Sequence, residues 1–186
     1  MKVIGYCGSP HKNGNTAWAV EQILSGAKQA GAETVVLCSS DFDITPCRGC
    51  FGCKSGDYIC VIKDDMQMAY DELQDADALV FASPVYIGQM TGQAKVFMDR
   101  LFPINSPVFS PHHKEHKKMK LILVFTQGNL DKSKFHTYFE YTKQLFETLD
   151  YDVKGIIIIA GTRSVQAKDI AGLAETLFDA GVKLVE

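Results

Sequence analysis

The chain has 186 residues, a formal charge of −3 and an apolar content of 46%. Such a length predicts one domain, 1–186, with enough apolar material for a sizeable core. The acidic balance argues against general nucleic-acid binding, and no apolar run approaches the roughly 18 residues that span a membrane. The N-terminus enters an apolar run directly, without a signal-peptide pattern, so a cytoplasmic protein is expected.

The predicted elements alternate along the chain. Val3–Cys7 reads as a buried strand and Ala17–Ala30 as a helix, with Ala17, Val20, Ile23, Leu24 and Ala27 on one face. Thr34–Cys38 is the second strand. Asp64–Asp75 is a helix, Ala78–Ala82 a strand, Ser83–Met90 a loop and Thr91–Phe102 a helix. Leu121–Phe125 is a strand, Lys134–Leu149 a helix, Val153–Ala160 a strand and Val165–Ala180 the last helix. Strands that are apolar throughout suit a parallel sheet covered on both faces. Right-handed crossovers then give an α/β, flavodoxin-like three-layer fold: a five-stranded parallel sheet of order 2-1-3-4-5, with the ligand beyond the carboxyl ends of strands 1, 3 and 4. Pro103–Lys118, with three prolines and three histidines (His112, His113, His116), reads as a mobile surface loop. A lid, a subunit contact or weak metal binding are the other readings.

The loop Gly8–Thr16 joins the first strand to the first helix. It sets unpaired backbone N–H groups at the positive end of a helix dipole, which suits an anion such as phosphate. Ser9, Asn13, Asn15 and Thr16 add hydroxyl and amide groups, His11 and Lys12 add nitrogen donors, and Gly8 and Gly14 allow close approach. The loop is neither a Walker loop nor a Gly-x-Gly-x-x-Gly fingerprint, which favours a terminal phosphate monoester held by neutral donors. The bland alternative is a polar loop capped by Asn15 or Thr16.

After the third strand, Pro84, Val85, Tyr86, Ile87 and Gly88 offer a backbone edge along which a flat aromatic ligand can lie. Thr126, Gln127 and Gly128 close the other side. A phosphate site and a flat slot on one rim match the two ends of flavin mononucleotide (FMN). No side-chain acid or nucleophile is required, so no catalytic residue is assigned.

Six cysteines in such a chain do not suggest a disulfide framework. Cys7 and Cys38 end the first two strands and read as small buried residues. Cys47, Cys50, Cys53 and Cys60 are close in sequence. Their spacing suits convergence on one [4Fe–4S] cluster, with Gly49, Gly52 and Gly56 allowing a tight wrap and Arg48 and Lys54 offsetting charge. Zinc, or unliganded thiols with a redox disulfide, remain alternatives. A cluster in the long Ser39–Cys60 connection is expected near the carboxyl rim of the sheet, and also within reach of the FMN of a neighbouring subunit.

Gly8-Ser9-Pro10-x-Lys12-Asn13-Gly14-Asn15-Thr16, Ser83-Pro84-Val85-Tyr86 and Lys95-x-Phe97-x-Asp99-Arg100 together resemble the NADPH-dependent FMN reductase family. The cysteine spacing, followed by Lys63-Asp64-Asp65-Met66, resembles its iron–sulfur flavoprotein branch. The resemblance runs from Met1 to about Thr126 and departs at His11, where many relatives carry arginine. It implies FMN, a [4Fe–4S] cluster and NAD(P)H or a ferredoxin-like carrier as donor. It also implies flavin, quinone, oxygen-species or protein acceptors, and a homodimer or homotetramer. The alternatives are an FMN reductase without a cluster, a non-catalytic electron carrier, and a flavodoxin-like scaffold that binds a metal structurally and holds no flavin.

Overall fold

A computed structural model describes residues 1–54, 60–104 and 118–186. Gly56 and the three histidines of the Pro103–Lys118 segment lie outside the described residues. The strands are β1 (Lys2–Cys7), β2 (Glu33–Cys38), β3 (Ala78–Tyr86), β4 (Gln89–Met90), β5 (Lys120–Thr126) and β6 (Asp152–Ile159). The helices are α1 (Asn15–Gln29), α2 (Met66–Leu73), α3 (Gly92–Asp99), α4 (His136–Thr148) and α5 (Leu173–Val185). The parallel order is β2-β1-β3-β5-β6, and β4 pairs antiparallel with the end of β3. This is the expected 2-1-3-4-5 sheet with a hairpin arm added. Among the described residues, no helix is long and apolar enough to cross a membrane.

Burial follows strand position. The central strands β1, β3 and β5 are buried along nearly their whole length, while Val36 on the edge strand β2 is exposed. Alternate residues point to the two faces of the sheet. On one face, Val3, Val80 and Val124 pack under α1 and α5; on the other, Ile4, Phe81 and Phe125 pack under α2, α3 and α4. Stacked rings fill this second face, with Tyr6 on Phe97 at 3.7 Å and Phe125 on Phe139 at 4.3 Å. On the first face, a Cβ at Gly5 would press into Val20 and Leu24, so α1 can lie directly on β1 only because residue 5 has no side chain.

Three expected boundaries shift. The segment after Ala82 is not a loop: β3 continues to Tyr86, because Ser83 and Pro84 stay in register with Phe125 and Thr126. Ile87 and Gly88 then turn with positive φ (50° and 81°), the conformation a tight hairpin demands. The last helix begins at Leu173 rather than Val165 and runs to Val185. Residues 167–169 form a short 3₁₀ turn whose Ala167 N–H donates to Asn15 Oδ1 at 2.7 Å, and Gly172 (φ 72°) reverses the chain before α5. The helix expected over Asp64–Asp75 shortens to α2, because both acidic side chains are used outside it. Asp64 accepts from the N–H groups of Thr45 and Met66, and Asp65 from that of Asp43.

Candidate functional site on the carboxyl rim

The end of β1 is tied to its neighbours. Gly8 N–H donates to Ala82 O at 2.7 Å, and Thr91 Oγ1 donates to Gly8 O at 2.6 Å. Thr91 Oγ1 also accepts from Ala94 N–H, so one hydroxyl caps α3 and fixes the start of the Gly8 loop. A Cβ on Gly8 would collide with Ala94 and approach Ala82 O, so glycine is required there by packing. Ser9 is buried; its Oγ accepts from His11 N–H and its carbonyl accepts from Ser39 Oγ. Residues 10–13 are exposed, so His11 and Asn13 stand at the surface of the loop.

The α1 terminus differs from expectation. Its N-cap is Gly14, and no side chain caps it. Asn15 is committed to Ala167, and Thr16 Oγ1 shares a buried 2.7 Å hydrogen bond with Thr126 Oγ1. These two residues therefore brace the rim rather than cap the helix. The first-turn N–H groups at this terminus receive no side-chain cap, the arrangement that accepts an anion. Lys12 is ion-paired with Asp41, so its charge is partly committed.

The remaining rim residues fall into place around this terminus. Pro84 and Val85 are half-buried, Tyr86 is exposed and Ile87 is fully exposed at the hairpin tip. Gly88 faces Phe135, and Met90 N–H donates to Tyr138 Oη, which leans the hairpin on α4. Thr126 and Gln127 are buried. Gln127 Nε2 donates to the carbonyls of Asn129 and Asp131, which fixes the amide orientation. Its Oε1 is buried and has no partner among the described residues. An uncapped helix terminus and an orphaned acceptor on one rim fit a ligand with an anionic end and a ring that donates a hydrogen bond. Sequence reasoning missed Arg163, an exposed cation beside Gly128 in the turn after β6.

The cysteine segment lies elsewhere. A cavity of about 530 Å³ is lined by Cys47, Cys50, Cys53 and Cys60 together with Met98 and Leu145. Asp99, Thr148 and Leu149 line it too, which places it at the C-terminal ends of α3 and α4. In right-handed crossovers those helices run against the strands, so their C-terminal ends lie toward the amino edge of the sheet. The expectation of cysteines near the carboxyl rim is thereby corrected.

Cys47 and Cys50 are exposed, Cys53 is half-buried and Cys60 is buried. Among the described residues no three His, Cys, Asp or Glu side chains gather into a metal-binding group. The donor set nevertheless has local support. Gly49 and Phe51, on either side of Cys50, have positive φ, and the Gly52 N–H followed by Arg48 holds the Cys50 thiol below its ordinary range. Burial pushes Cys53 the other way. Lys54, assigned to charge compensation, donates to Phe102 O at 2.9 Å and sits 4.5 Å from the Phe102 ring centre.

The Asp-Arg and Lys-Asp-Asp-Met stretches meet beneath this cavity. Arg100 is buried and holds Asp64 through two hydrogen bonds, of 2.7 and 3.1 Å, while also donating to Thr45 O. Burial alone would raise the Asp64 carboxyl, but Arg100 and the N–H groups of Thr45 and Met66 outweigh it and hold it below the ordinary value.

The model of the NADPH-dependent FMN reductase family matches residues 1–148. The chain belongs to that family. It is similar to an iron–sulfur flavoprotein of Methanocaldococcus jannaschii, at 38% identity over 104 residues, covering 56% of this chain and 53% of that protein. An iron–sulfur flavoprotein of Methanosarcina thermophila is 38% identical over 100 residues, covering 54% of this chain and 52% of that protein. The matched stretch thus spans about half the length of these curated relatives. Among solved structures, an NAD(P)H:quinone oxidoreductase from Methanothermobacter marburgensis has a TM-score of 0.79 at 15% identity, covering 100% of this chain and 98% of its own. A flavone reductase has a TM-score of 0.74 at 19% identity, covering 100% and 62% respectively. At such identities these two structures speak for the fold.

Proposed function

We propose that this member of the FMN reductase family binds FMN on the carboxyl rim and works as a flavin oxidoreductase. Its donor is NAD(P)H or a ferredoxin-like carrier; its acceptor is a flavin, a quinone, an oxygen species or a redox protein. The observation that carries the reading is the uncapped α1 terminus behind the exposed 10–13 loop, on the same rim as the β3–β4 hairpin and the Gln127 turn. In this arrangement the loop backbone, Ser9, His11, Asn13 and Gly14 surround the phosphate. Asn15 and Thr16 keep the helix terminus aimed at it. Pro84–Gly88 lie along one edge of the ring, and Gln127 Oε1 offers an acceptor to a ring N–H. When bound, FMN takes electrons as a pair and releases them singly or as a pair; the chain supplies binding, orientation and exclusion of water.

The second part of the proposal concerns the cysteines. The curated relatives' names, the four thiols around one cavity and the backbone turned toward Cys50 support a [4Fe–4S] cluster on Cys47, Cys50, Cys53 and Cys60. Because this cavity lies toward the amino edge, a cluster there faces away from the chain's own rim and toward a neighbouring subunit in a homodimer or homotetramer. Zinc and free thiols are the competing occupancies. Purification without oxygen tests both parts. Flavin absorption bands, NAD(P)H oxidation and about four iron atoms per chain are expected for FMN with one cluster. A colourless protein that takes up neither FMN nor iron with sulfide overturns the proposal. Flavin without iron removes only the cluster.

A further inference from the structure

Cys7 and Cys38 are not isolated small residues. They are direct partners in the parallel register of β1 and β2, at the carboxyl ends of both strands. Adjacent strands lie about 4.8 Å apart, inside the roughly 4.4–6.8 Å range of Cα separations that a disulfide spans. In a parallel pair, residues directly opposite each other project to the same face, and both cysteines pack into the cluster under α1. Cys7 is buried and Cys38 is half-buried, so a small reagent meets Cys38 first.

We propose that Cys7 and Cys38 form a reversible disulfide that loosens the phosphate loop above them. The oxidant is a low-molecular-weight disulfide. Cys38 Sγ loses its proton to solvent and attacks one sulfur of the reagent; the reagent's S–S bond breaks and one small thiol leaves with a proton. Cys7 Sγ then loses its proton and attacks Cys38 Sγ, releasing the second small thiol. One S–S bond is broken and one formed. The protein gives up two protons and two electrons, and the reagent becomes two thiols. Burial pushes the Cys7 thiol up to about 11 and raises Cys38 as well, so each sulfur must give up its proton as it attacks.

The link to the loop is direct. Ser9 lies two residues beyond Cys7. Ser9 in turn holds His11 N–H through its Oγ, and its carbonyl accepts from Ser39 Oγ, one residue beyond Cys38. Drawing the two sulfurs into a covalent bond shifts the carboxyl ends of β1 and β2 and so pulls both ends of this small network. Cys7 is also one residue before Gly8, whose N–H and carbonyl anchor the loop to β3 and Thr91.

The test uses the full chain, reduced and then incubated with oxidised glutathione, followed by alkylation, peptide mapping by mass spectrometry and FMN titration. A peptide pair joined through Cys7 and Cys38, reversed by dithiothreitol, is expected. FMN binding should weaken about tenfold, the loss of one or two hydrogen bonds to the phosphate. Cys38→Ala should form no such pair and should keep its FMN affinity under the same treatment. The proposal is overturned if Cys7 and Cys38 stay alkylatable while other cysteines oxidise. It is equally overturned if the disulfide forms without changing FMN affinity, or if Cys38→Ala loses affinity as the wild type does. The affinity arm rests on FMN binding at the rim. If the reduced wild type binds no FMN, that reading fails, and the peptide map still decides the disulfide.

Discussion

At the residue scale, the fold depends on two polar contacts that cross long stretches of chain, one on the rim and one beneath the cysteine cavity. Among the described residues, the hydroxyls of Thr16 and Thr126 bond each other in a buried position. Removing one leaves the other desolvated, so Thr16→Val is expected to cost about 1–3 kcal/mol in urea unfolding. Thr16→Val with Thr126→Val should recover most of that loss, and additive losses in the double variant would show that the hydroxyls act separately. The second contact is Asp64 with Arg100, whose side chains are 9% and 1% exposed. Breaking this buried pair by Arg100→Met should cost about 3–5 kcal/mol, because it strands a carboxylate. The Asp64 carboxyl is held lower in the folded chain than in the unfolded one. Its contribution is therefore complete above the ordinary carboxylate value of about 3.9 and is lost as pH falls through the lowered folded value. Unfolding free energy measured from pH 6 downward should thus fall less steeply in Asp64→Asn than in the wild type. An unchanged slope would assign the acid sensitivity to other carboxylates.

At the scale of elements, α1 and α5 touch backbone to backbone. A Cβ on Gly26 would run into the Phe178 carbonyl, and one on Gly181 into that of Ile23. Neither neighbour is a flexible side-chain end. Gly26→Ala therefore forces the helices apart, despite alanine's higher helix propensity, and should destabilise by about 1–3 kcal/mol in denaturant unfolding. A stabilised variant would mean that the helices slide to accept the methyl group. Elements whose pattern is local were legible in the sequence: the unbroken apolar runs of β1, β3 and β5 and the one-sided stripe of α1 need no distant partner to be read. Elements set by distant partners were not. Ser83-Pro84 interrupts an apolar run and reads as a loop, yet β5 holds it in the sheet. Val165 to Ile170 keeps a helical spacing, yet Asn15 captures Ala167 and the helix starts later. The motifs showed the same division. Lys63-Asp64-Asp65-Met66 and Asp99-Arg100 stood out as patterns, but that Asp64 and Arg100 form one buried pair is a fact of the folded chain alone.

At the scale of the whole molecule, the three rim loops come from three different strands and meet only when the sheet is complete. A ligand that touches all three binds the folded state and not the unfolded one. FMN at about a hundredfold above its dissociation constant should then add about 2.7 kcal/mol of stability. In a chain of this length, that raises the melting temperature by roughly 5–11 °C. Riboflavin carries the same ring without the phosphate, so it separates the two ends of the site. If the uncapped α1 terminus and the 10–13 loop hold the phosphate, riboflavin at the same concentration should give a much smaller rise. Added inorganic phosphate should compete with FMN and reduce its shift. Equal shifts from FMN and riboflavin would place the binding energy in the Pro84–Gly88 and Gln127 slot and remove the phosphate role from the Gly8–Thr16 loop. Thr16→Val gives a further internal check: it leaves the backbone donors in place but loosens the brace that aims them, so it should reduce the FMN shift more than the small riboflavin one.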